Sequence, residues 1–364
     1  MRVLFAVTSL MGAGHLARTL ILARAVEAAG GRALVVSGGR PGAGDAGVEI
    51  AQLPPLWSDG VDYSTLLTPG GAADDAYLAA RAERLVALFD EFAPDVVVTE
   101  LWPFGRRSLS REFEALATRA KGRARIYASI RDVLEPKRKP KRAEETAERL
   151  ERLYDGALVH GDPGLVDLSA TWPLAHRFAD RIRYTGYVAE PSPPPLEGAE
   201  GEVLVAVGGG VIGRELLAAS VAAARGSERR WRLRVGGADA AEAAAALQAK
   251  SAGAPVVVEP AAPDYRARLA AAACSVSLFG YNTATDLLAA GVPAVIHPMT
   301  EGGEQEQRIR ADAFADLPGF TRLDEATPGA LRKAVAKALS GPRPDPGSVD
   351  LDGASRTAEI LAEG

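Results

Sequence analysis

Several chemistries are excluded by what the chain has little of. It carries one cysteine, Cys274, in 364 residues, so no disulfide framework can form and a reducing compartment is expected. With one thiol and four histidines, no Cys/His spacing suits zinc. Asp350-Leu351-Asp352 is the single Asp-x-Asp candidate for a metal; it falls in an expected tail, so no metal ligand is assigned. No G-x-S-x-G elbow occurs, which disfavours acyl hydrolysis. No run approaches the ~18 consecutive apolar residues of a membrane span. The net charge of −5 argues against a bulk nucleic-acid binder but leaves room for local basic patches. The start, Arg2 and then Val3-Leu4-Phe5-Ala6-Val7, has the look of a leader. Its apolar run breaks at Thr8-Ser9 and passes into a glycine turn, so a strand in a cytoplasmic protein is expected instead.

What is present is 47% hydrophobic residues and enough length for two ordinary domains. The pattern is an alternation of short apolar strands and amphipathic helices. Val3 to Thr8 reads as a buried parallel strand. Gly12-Ala13-Gly14-His15 is a turn, Leu16, Leu20, Ala23 and Val26 mark one helix face, and Ala33 to Ser37 is the next strand. Further strands are expected at Val48 to Leu53, Asp95 to Thr99, Arg125 to Ile130 and Ala157 to Val159. Between them lie helices from about Asp74 to Phe92, Ser108 to Ala120 and Arg142 to Leu153, and a long loop from Pro54 to Gly71. Pro191 to Pro195 is mostly proline, a stiff linker. The alternation restarts with strands at Val203 to Val207, Trp231 to Val235, Pro255 to Val258, Cys274 to Leu278 and Ala294 to His297. This predicts an α/β chain of two doubly wound domains facing across a cleft, residues 1–188 and 201–345. A linker spans 189–200, and a tail from 346 to 364 ends in a helix that could pack back on the first domain.

Each half has a glycine turn after its first strand. Gly208, Gly210 and Gly213 fit G-x-G-x-x-G, but the second strand ends in Gly236-Gly237 with Asp239 beyond it. A dinucleotide therefore loses its ribose anchor, while a phosphate binder that uses backbone N–H groups remains. Ser277 to Asp286 is a strand, a turn at Gly280 that glycine's freedom serves, and a helix capped by Asn282 or Thr283. Such a helix start is suited to phosphate. His15 is aimed at the carboxyl end of a parallel sheet, where these folds bind ligands. It could take a proton from a hydroxyl or from water; capping its helix is the plainer alternative. His160, His176 and His297 have no comparable setting and are expected to be structural. Trp102-Pro103-Phe104 with Arg106, Arg107 and Arg111 could meet an anionic or lipid acceptor or a membrane surface, an ordinary loop being favoured. The basic run Glu135 to Arg142 reads as a solvated charge run, with acceptor phosphate or anionic lipid as the second reading.

Gly12-x-Gly14-His15, Gly208 to Gly213, and Gly280-Tyr281-Asn282-Thr283-x-x-Asp286, followed by Pro298 and Glu304-Gln305-Glu306-Gln307, resemble a GT-B glycosyltransferase. The chain is similar to family 28, which includes the enzyme that adds N-acetylglucosamine to the peptidoglycan lipid intermediate. It is most similar to a less characterised bacterial branch, with runs like Thr99-Glu100-Leu101-Trp102-Pro103-Phe104-Gly105-Arg106-Arg107, Ser129-Ile130-Arg131-Asp132 and Gly280-Tyr281-Asn282-Thr283.

The resemblance covers nearly the whole chain. It implies a nucleoside-diphosphate sugar donor, with UDP the first choice, and no cofactor or metal. Asp286 would accept from the ribose hydroxyls. Gly209, Gly210 and the turn of Gly280, Tyr281, Asn282 and Thr283 would cradle the diphosphate. Glu306 and Gln307 would face the sugar, with Glu304 and Gln305 as rivals, and the base would be read near Glu259 to Asp264. His15 would act on the acceptor, with Gly12, Gly14, Glu100 and Arg131 around it, and would invert the anomeric centre. The acceptor is a small molecule, a lipid-linked species or a glycan, with contact at the inner face of a membrane as an option and no nucleic acid expected. Gly210 replaces a Ser or Thr frequent in the second turn, and Pro298 to Gly303 differs from the peptidoglycan enzyme, so its sugar and acceptor are not carried over. A nucleotide-sugar hydrolase like that of pseudaminic acid synthesis, a non-hydrolysing epimerase and a non-catalytic binding protein stay as alternatives.

Overall fold

A computed structural model describes residues 1–42, 47–58, 65–136, 140–208, 212–299 and 304–363. They form two compact units, Met1–Val188 with Asp352–Gly364, and Ala189–Leu351.

The first unit runs β1 (Arg2–Val7), α1 (Gly14–Ala28), β2 (Arg32–Ser37), β3 (Glu49–Gln52), the short β4 (Leu67–Thr68) and β5 (Gly71–Ala72), and α2 (Asp75–Phe92). It continues with β6 (Val96–Glu100), α3 (Ser110–Ala120), β7 (Arg125–Arg131), α4 (Pro140–Leu153), β8 (Gly156–His160) and β9 (Ile182–Tyr184). Seven parallel strands lie in the order β3-β2-β1-β6-β7-β8-β9. The period of two puts Leu4 and Ala6 of β1 on one face, packed with Phe89 of α2 and Phe113 of α3. Val3, Phe5 and Val7 face the other way, onto Leu22, Ala23 and Val26 of α1. Both faces are covered, which is why these strands read as continuous apolar runs. The Asp74 carboxylate caps α2 by accepting from the Tyr77 N–H at 2.7 Å. Within the loop read as Pro54 to Gly71, Trp57 pairs with Leu67, and β4 pairs with β5. The three-residue β9 is too short for a sequence pattern to reveal.

The second unit holds β10 (Val203–Ala206), α5 (Arg214–Ala223), β11 (Trp231–Val235), α6 (Ala240–Ala249), β12 (Val256–Pro260) and α7 (Tyr265–Ala271). Then come β13 (Cys274–Leu278), α8 (Tyr281–Ala290), β14 (Ala294–His297), α9 (Glu306–Phe314), β15 (Phe320–Arg322) and α10 (Pro328–Ser340). Its six parallel strands are ordered β12-β11-β10-β13-β14-β15. The last helix, α11 (Gly353–Ala362), belongs to the first unit, where Ala358, Ile360 and Leu361 join the core beside α1. In each sheet the strand order reverses once, between β1 and β6 and between β10 and β13. These two switch points are where a doubly wound sheet opens a crevice for ligands.

Candidate functional site

In the first unit, β1 leads through Gly12, whose φ of 60° is left-handed, into α1. His15 is therefore on the first turn beside the switch point. It does not cap its helix; α1 has no side-chain cap at Ala13, and Ser9 Oγ accepts from the Leu16 N–H at 3.2 Å. On the other side of the switch point β6 ends in Glu100, a buried carboxylate. His15 Nδ1 lies 2.8 Å from Glu100 Oε1, and Arg18 Nη2, one turn along α1, donates to the same oxygen. Ser129 of β7, the register partner of Glu100, donates to Oε2 at 2.7 Å. Arg131, two residues further on the same face, places Nη2 3.2 Å from His15 Nε2.

The charge states follow from these partners. Burial pushes Glu100 up, but Arg18 and the hydrogen bonds from His15 and Ser129 outweigh it and hold the carboxyl below its ordinary range. Burial pushes His15 down to about 3, against the Glu100 hydrogen bond and with help from Arg131 and Arg106. The imidazole is thus neutral at pH 7. An ionised carboxylate only accepts, so the proton is on Nδ1 and the lone pair on Nε2. Glu100 orients and polarises an imidazole whose other nitrogen carries the lone pair and accepts from the Arg131 guanidinium.

Two features beside this pair escaped the sequence pattern. Ser129 Oγ also meets His160 Nε2 at 3.0 Å, and His160 Nδ1 meets Thr185 Oγ1 at 2.9 Å. His160 is fully buried, and burial pushes it down to about 3. Arg81 of α2 forms a buried fork to Glu112 of α3, Nε to Oε2 and Nη2 to Oε1 both at 2.9 Å, and donates to the Gly38 and Pro54 carbonyls. That fork ties the loops after β2 and β3 to α2 and α3. Its residues look like ordinary helix surface in sequence.

The aromatic segment after β6 is core. Trp102 is 1% exposed and stacks on Phe113 with ring centroids 6.1 Å apart; Phe104 meets Trp172 edge-on at 4.9 Å. Those two rings therefore offer nothing to an acceptor or a membrane surface. Arg107 and Arg111 bond to the backbone carbonyls of Arg142 and Asp75. Lys137 to Lys139 of the basic run lie outside the described residues. No helix among the described residues is long and apolar enough to cross a membrane, and none of their His, Cys, Asp and Glu form a group of three suited to a metal.

In the second unit the crevice opens where β10 and β11 end. A cavity of about 200 Å³ is lined by Ala206, Gly208, Arg234, Ala261, Tyr265 and Thr283. Gly208 and Gly213 both have a φ of 83°, and a Cβ on Gly213 would fall 2.8 Å from Val207 Cβ, so glycine is required there. Gly209 and Gly210 lie outside the described residues. The Gly280 turn differs from the expectation. Its φ of −69° suits any residue, so conformational freedom is not why glycine stands there; a Cβ would meet nothing within 4 Å. Asn282 and Thr283 do not cap α8 either. The helix begins at Tyr281, Gly280 is the cap residue, and no side chain bonds the cap. Thr283 lines the cavity, and Asp286, three residues on, shares its face.

Asp286 is paired with Arg266 of α7, Nε to Oδ1 at 2.9 Å, and Arg266 also holds the Glu190 carboxylate at 2.9 Å and the Glu190 and Pro191 carbonyls. Burial pushes the Asp286 carboxyl up to about 6, opposed by Arg266 and helped by Glu190. Arg234 donates to both oxygens of Asp264, at 2.7 and 2.8 Å. Of the expected sugar-facing residues, Glu306 accepts from the buried Arg310 at 2.9 Å. The Gln307 side-chain oxygen, Oε1, accepts from the N–H groups of Phe279 at 3.0 Å and Met299 at 3.1 Å, tying the ends of β13 and β14 together. Glu304 accepts from the Gln307 N–H at 3.1 Å, and Gln305 is the cap residue of α9. No local signal marks Arg266, whose role depends on α7 packing beside α8, whereas the Glu306–Arg310 spacing of four on α9 is the one sign that could have found Arg310.

No protein-family model and no curated protein sequence matches the chain. Solved structures do. The UDP-GlcNAc 2-epimerase from Methanocaldococcus jannaschii aligns over 100% of both chains with a TM-score of 0.63 and 10% identity. MurG of Acinetobacter baumannii aligns over 100% of both with a TM-score of 0.59 and 16% identity. Spinosyn rhamnosyltransferase SpnG, solved with thymidine diphosphate, aligns over 100% of this chain and 95% of its own with a TM-score of 0.59 and 15% identity.

Proposed function

We propose that this chain, which has the GT-B fold of two Rossmann-like units, is a glycosyltransferase. It moves a sugar from a nucleoside-diphosphate sugar, UDP-linked as first choice, to an acceptor hydroxyl. The observation that carries the reading is the His15–Glu100 pair at the first switch point. A neutral imidazole, its Nδ1–H fixed by a buried carboxylate, has the form a base must have before reaction. The Glu100 charge then stabilises the imidazolium as the proton arrives. Arg131 Nη2–H donates to Nε2 at 3.2 Å, and the acceptor hydroxyl would take its place at that lone pair.

In the proposed step the acceptor oxygen attacks the anomeric carbon as its bond to the diphosphate oxygen breaks. The hydroxyl proton passes to His15 Nε2, and the leaving diphosphate takes the electron pair. One displacement inverts the anomeric configuration. The N-terminus of α8 would supply N–H groups and a positive dipole end for the diphosphate, with Gly208 beside it at the cavity, so the reading invokes no metal. Asp286 would hold the ribose hydroxyls beside the cavity at Thr283. A partner of SpnG's kind, a nucleoside diphosphate, supports that assignment.

Calorimetric titration with UDP, GDP and dTDP tests the donor site, followed by the matching sugar nucleotides with and without acceptor extracts. Micromolar binding that Asp286→Ala abolishes supports it. His15→Ala should then lose turnover and keep donor affinity; indifference would leave a binding protein. Loss of sugar nucleotide to free sugar without acceptor would make water the acceptor and the chain a hydrolase. No nucleotide binding at all refutes the proposal.

A further inference from the structure

The chain of bonds behind His15 has a direction, and the direction can be worked out by counting protons. Glu100, Ser129, His160 and Thr185 are each at most 3% exposed. Solvent therefore cannot supply missing donors cheaply, and every buried acceptor needs a protein partner. Ser129 has one hydroxyl hydrogen and two neighbours that could receive it, Glu100 Oε2 at 2.7 Å and His160 Nε2 at 3.0 Å. A bond to an ionised carboxylate is roughly twice as strong as one between neutral groups, so the hydrogen goes to Glu100. His160 Nε2 must then donate to Ser129 Oγ, and its Nδ1 must accept. The group 2.9 Å from Nδ1 is the Thr185 hydroxyl, which can donate.

We propose that His160 is a positioning residue for His15, held as the Nε2–H tautomer so that the Ser129 hydrogen is committed to Glu100 and the Glu100 carboxylate to the His15 Nδ1–H. Its bearing on catalysis rests on the transfer reading above; the tautomers do not. In the opposite polarity Thr185 donates to the Gly186 carbonyl at 2.9 Å, His160 Nδ1–H donates to Thr185, and Ser129 turns to His160. Glu100 Oε2 then loses its hydroxyl donor, and the carboxylate that aims His15 is held from the Oε1 side alone. The charged groups facing His160 are Arg18 from α1 and Glu100 from β6; burial, helped by Arg18 and opposed by Glu100, leaves it neutral.

The structure makes the outcome easy to read. The other three histidines place Nδ1 against groups that can only accept: His15 on Glu100, His176 on the Pro173 carbonyl and His297 on the Leu323 carbonyl. Among the four, His160 alone is therefore expected as the Nε2–H form. The test is a long-range proton–nitrogen correlation spectrum of the full-length protein labelled with ¹⁵N-histidine, at a pH above 7.5. Signals are assigned with His15→Gln, His160→Gln, His176→Asn and His297→Asn. A pyrrole-type Nε2 and a pyridine-type Nδ1 at His160 support the proposal; Nδ1–H at His160 overturns it.

Ser129→Ala and His160→Leu should each shift or broaden the His15 Nδ1–H signal. His160→Gln, whose amide can donate to Ser129 and accept from Thr185, should restore it. A His15 signal unchanged in both disruptive variants overturns the positioning role, and the wild-type spectrum stands if His160→Leu does not fold. None of these spectra involves nucleotide. Failure of the donor titration with the expected tautomers would remove the transfer reading and leave the network, and the reverse result would do the opposite.

Discussion

Replacing Glu100 by glutamine changes little in volume and removes one charge from a place where charge matters. Glu100 is 3% exposed and Arg18 2%, and the two are in direct contact. The variant leaves a buried guanidinium without its carboxylate. Its amide can keep an oxygen toward Arg18 and His15 only by turning its N–H groups on Ser129, whose hydrogen the carboxylate had held. Breaking a buried pair from one side costs about 3–5 kcal/mol. A unit of this size shifts by roughly 2–4 °C per kcal/mol, so its transition should fall by about 6–20 °C. Denaturant unfolding followed by tryptophan fluorescence reports chiefly on the first unit, since Trp57, Trp102 and Trp172 lie there and Trp231 in the second. An apolar pair in the same space, Arg18→Met with Glu100→Leu, should recover most of the loss, because replacing both partners removes the desolvation penalty along with the attraction. Glu100→Gln unfolding within about 0.5 kcal/mol of the parent, the range of an ordinary surface substitution, would refute the buried-pair reasoning.

Acid should destabilise the first unit from pH 6.5 downward. The unfolded chain takes up protons at His15 and His160 that the native state refuses until about pH 3, and each contributes at most about 1.4 kcal/mol per pH unit. His160→Gln should flatten that slope in urea titrations between pH 7 and 5. Asp286 works in the opposite sense: its native value of about 6 means the second unit gains stability as pH falls from 6 toward 3.8. If ribose binding needs the carboxylate, nucleotide affinity should fall up to tenfold per unit below pH 6, and a flat profile by calorimetry would exclude Asp286 as the acceptor. Two alanines separate shape from binding. Gly213→Ala, with its φ of 83° and its 2.8 Å clash, should lose more than about 1 kcal/mol. Gly280→Ala, at a φ of −69° with open space around its Cβ, should leave melting unchanged and weaken nucleotide binding.

His15 could be singled out before any coordinates because a strand, a glycine turn and a helix make a local sentence. The same holds for Gly208 and Gly213. Gly280 also ends a local strand and begins a helix, but its ordinary φ moves the reason for glycine from the backbone to the open space beside it. Trp102 and Phe104, read from sequence as an ordinary loop with an acceptor or membrane contact as the alternative, are core because α3 and Trp172 close over them. His160 had no local setting at all. It joins the site only because β8 lies beside β7, and β7 beside β6.

The amino-acid sequence by itself determined the alternation of strands and helices, the proline break and the turns that end β1, β10 and β13. Each of these depends on residues within a few positions of one another, and backbone propensity and apolar period are local quantities. The tertiary structure alone decided that Glu100 and Arg18 share one buried oxygen contact with His15, that Ser129 and His160 stand behind them, and that Arg266 answers Asp286. Those partners are separated by 20 to 85 residues along the chain, except Arg18, which lies one turn from His15. What brings them together is the order of strands in a sheet, and that order is fixed by burying both of its faces, a property of the whole unit.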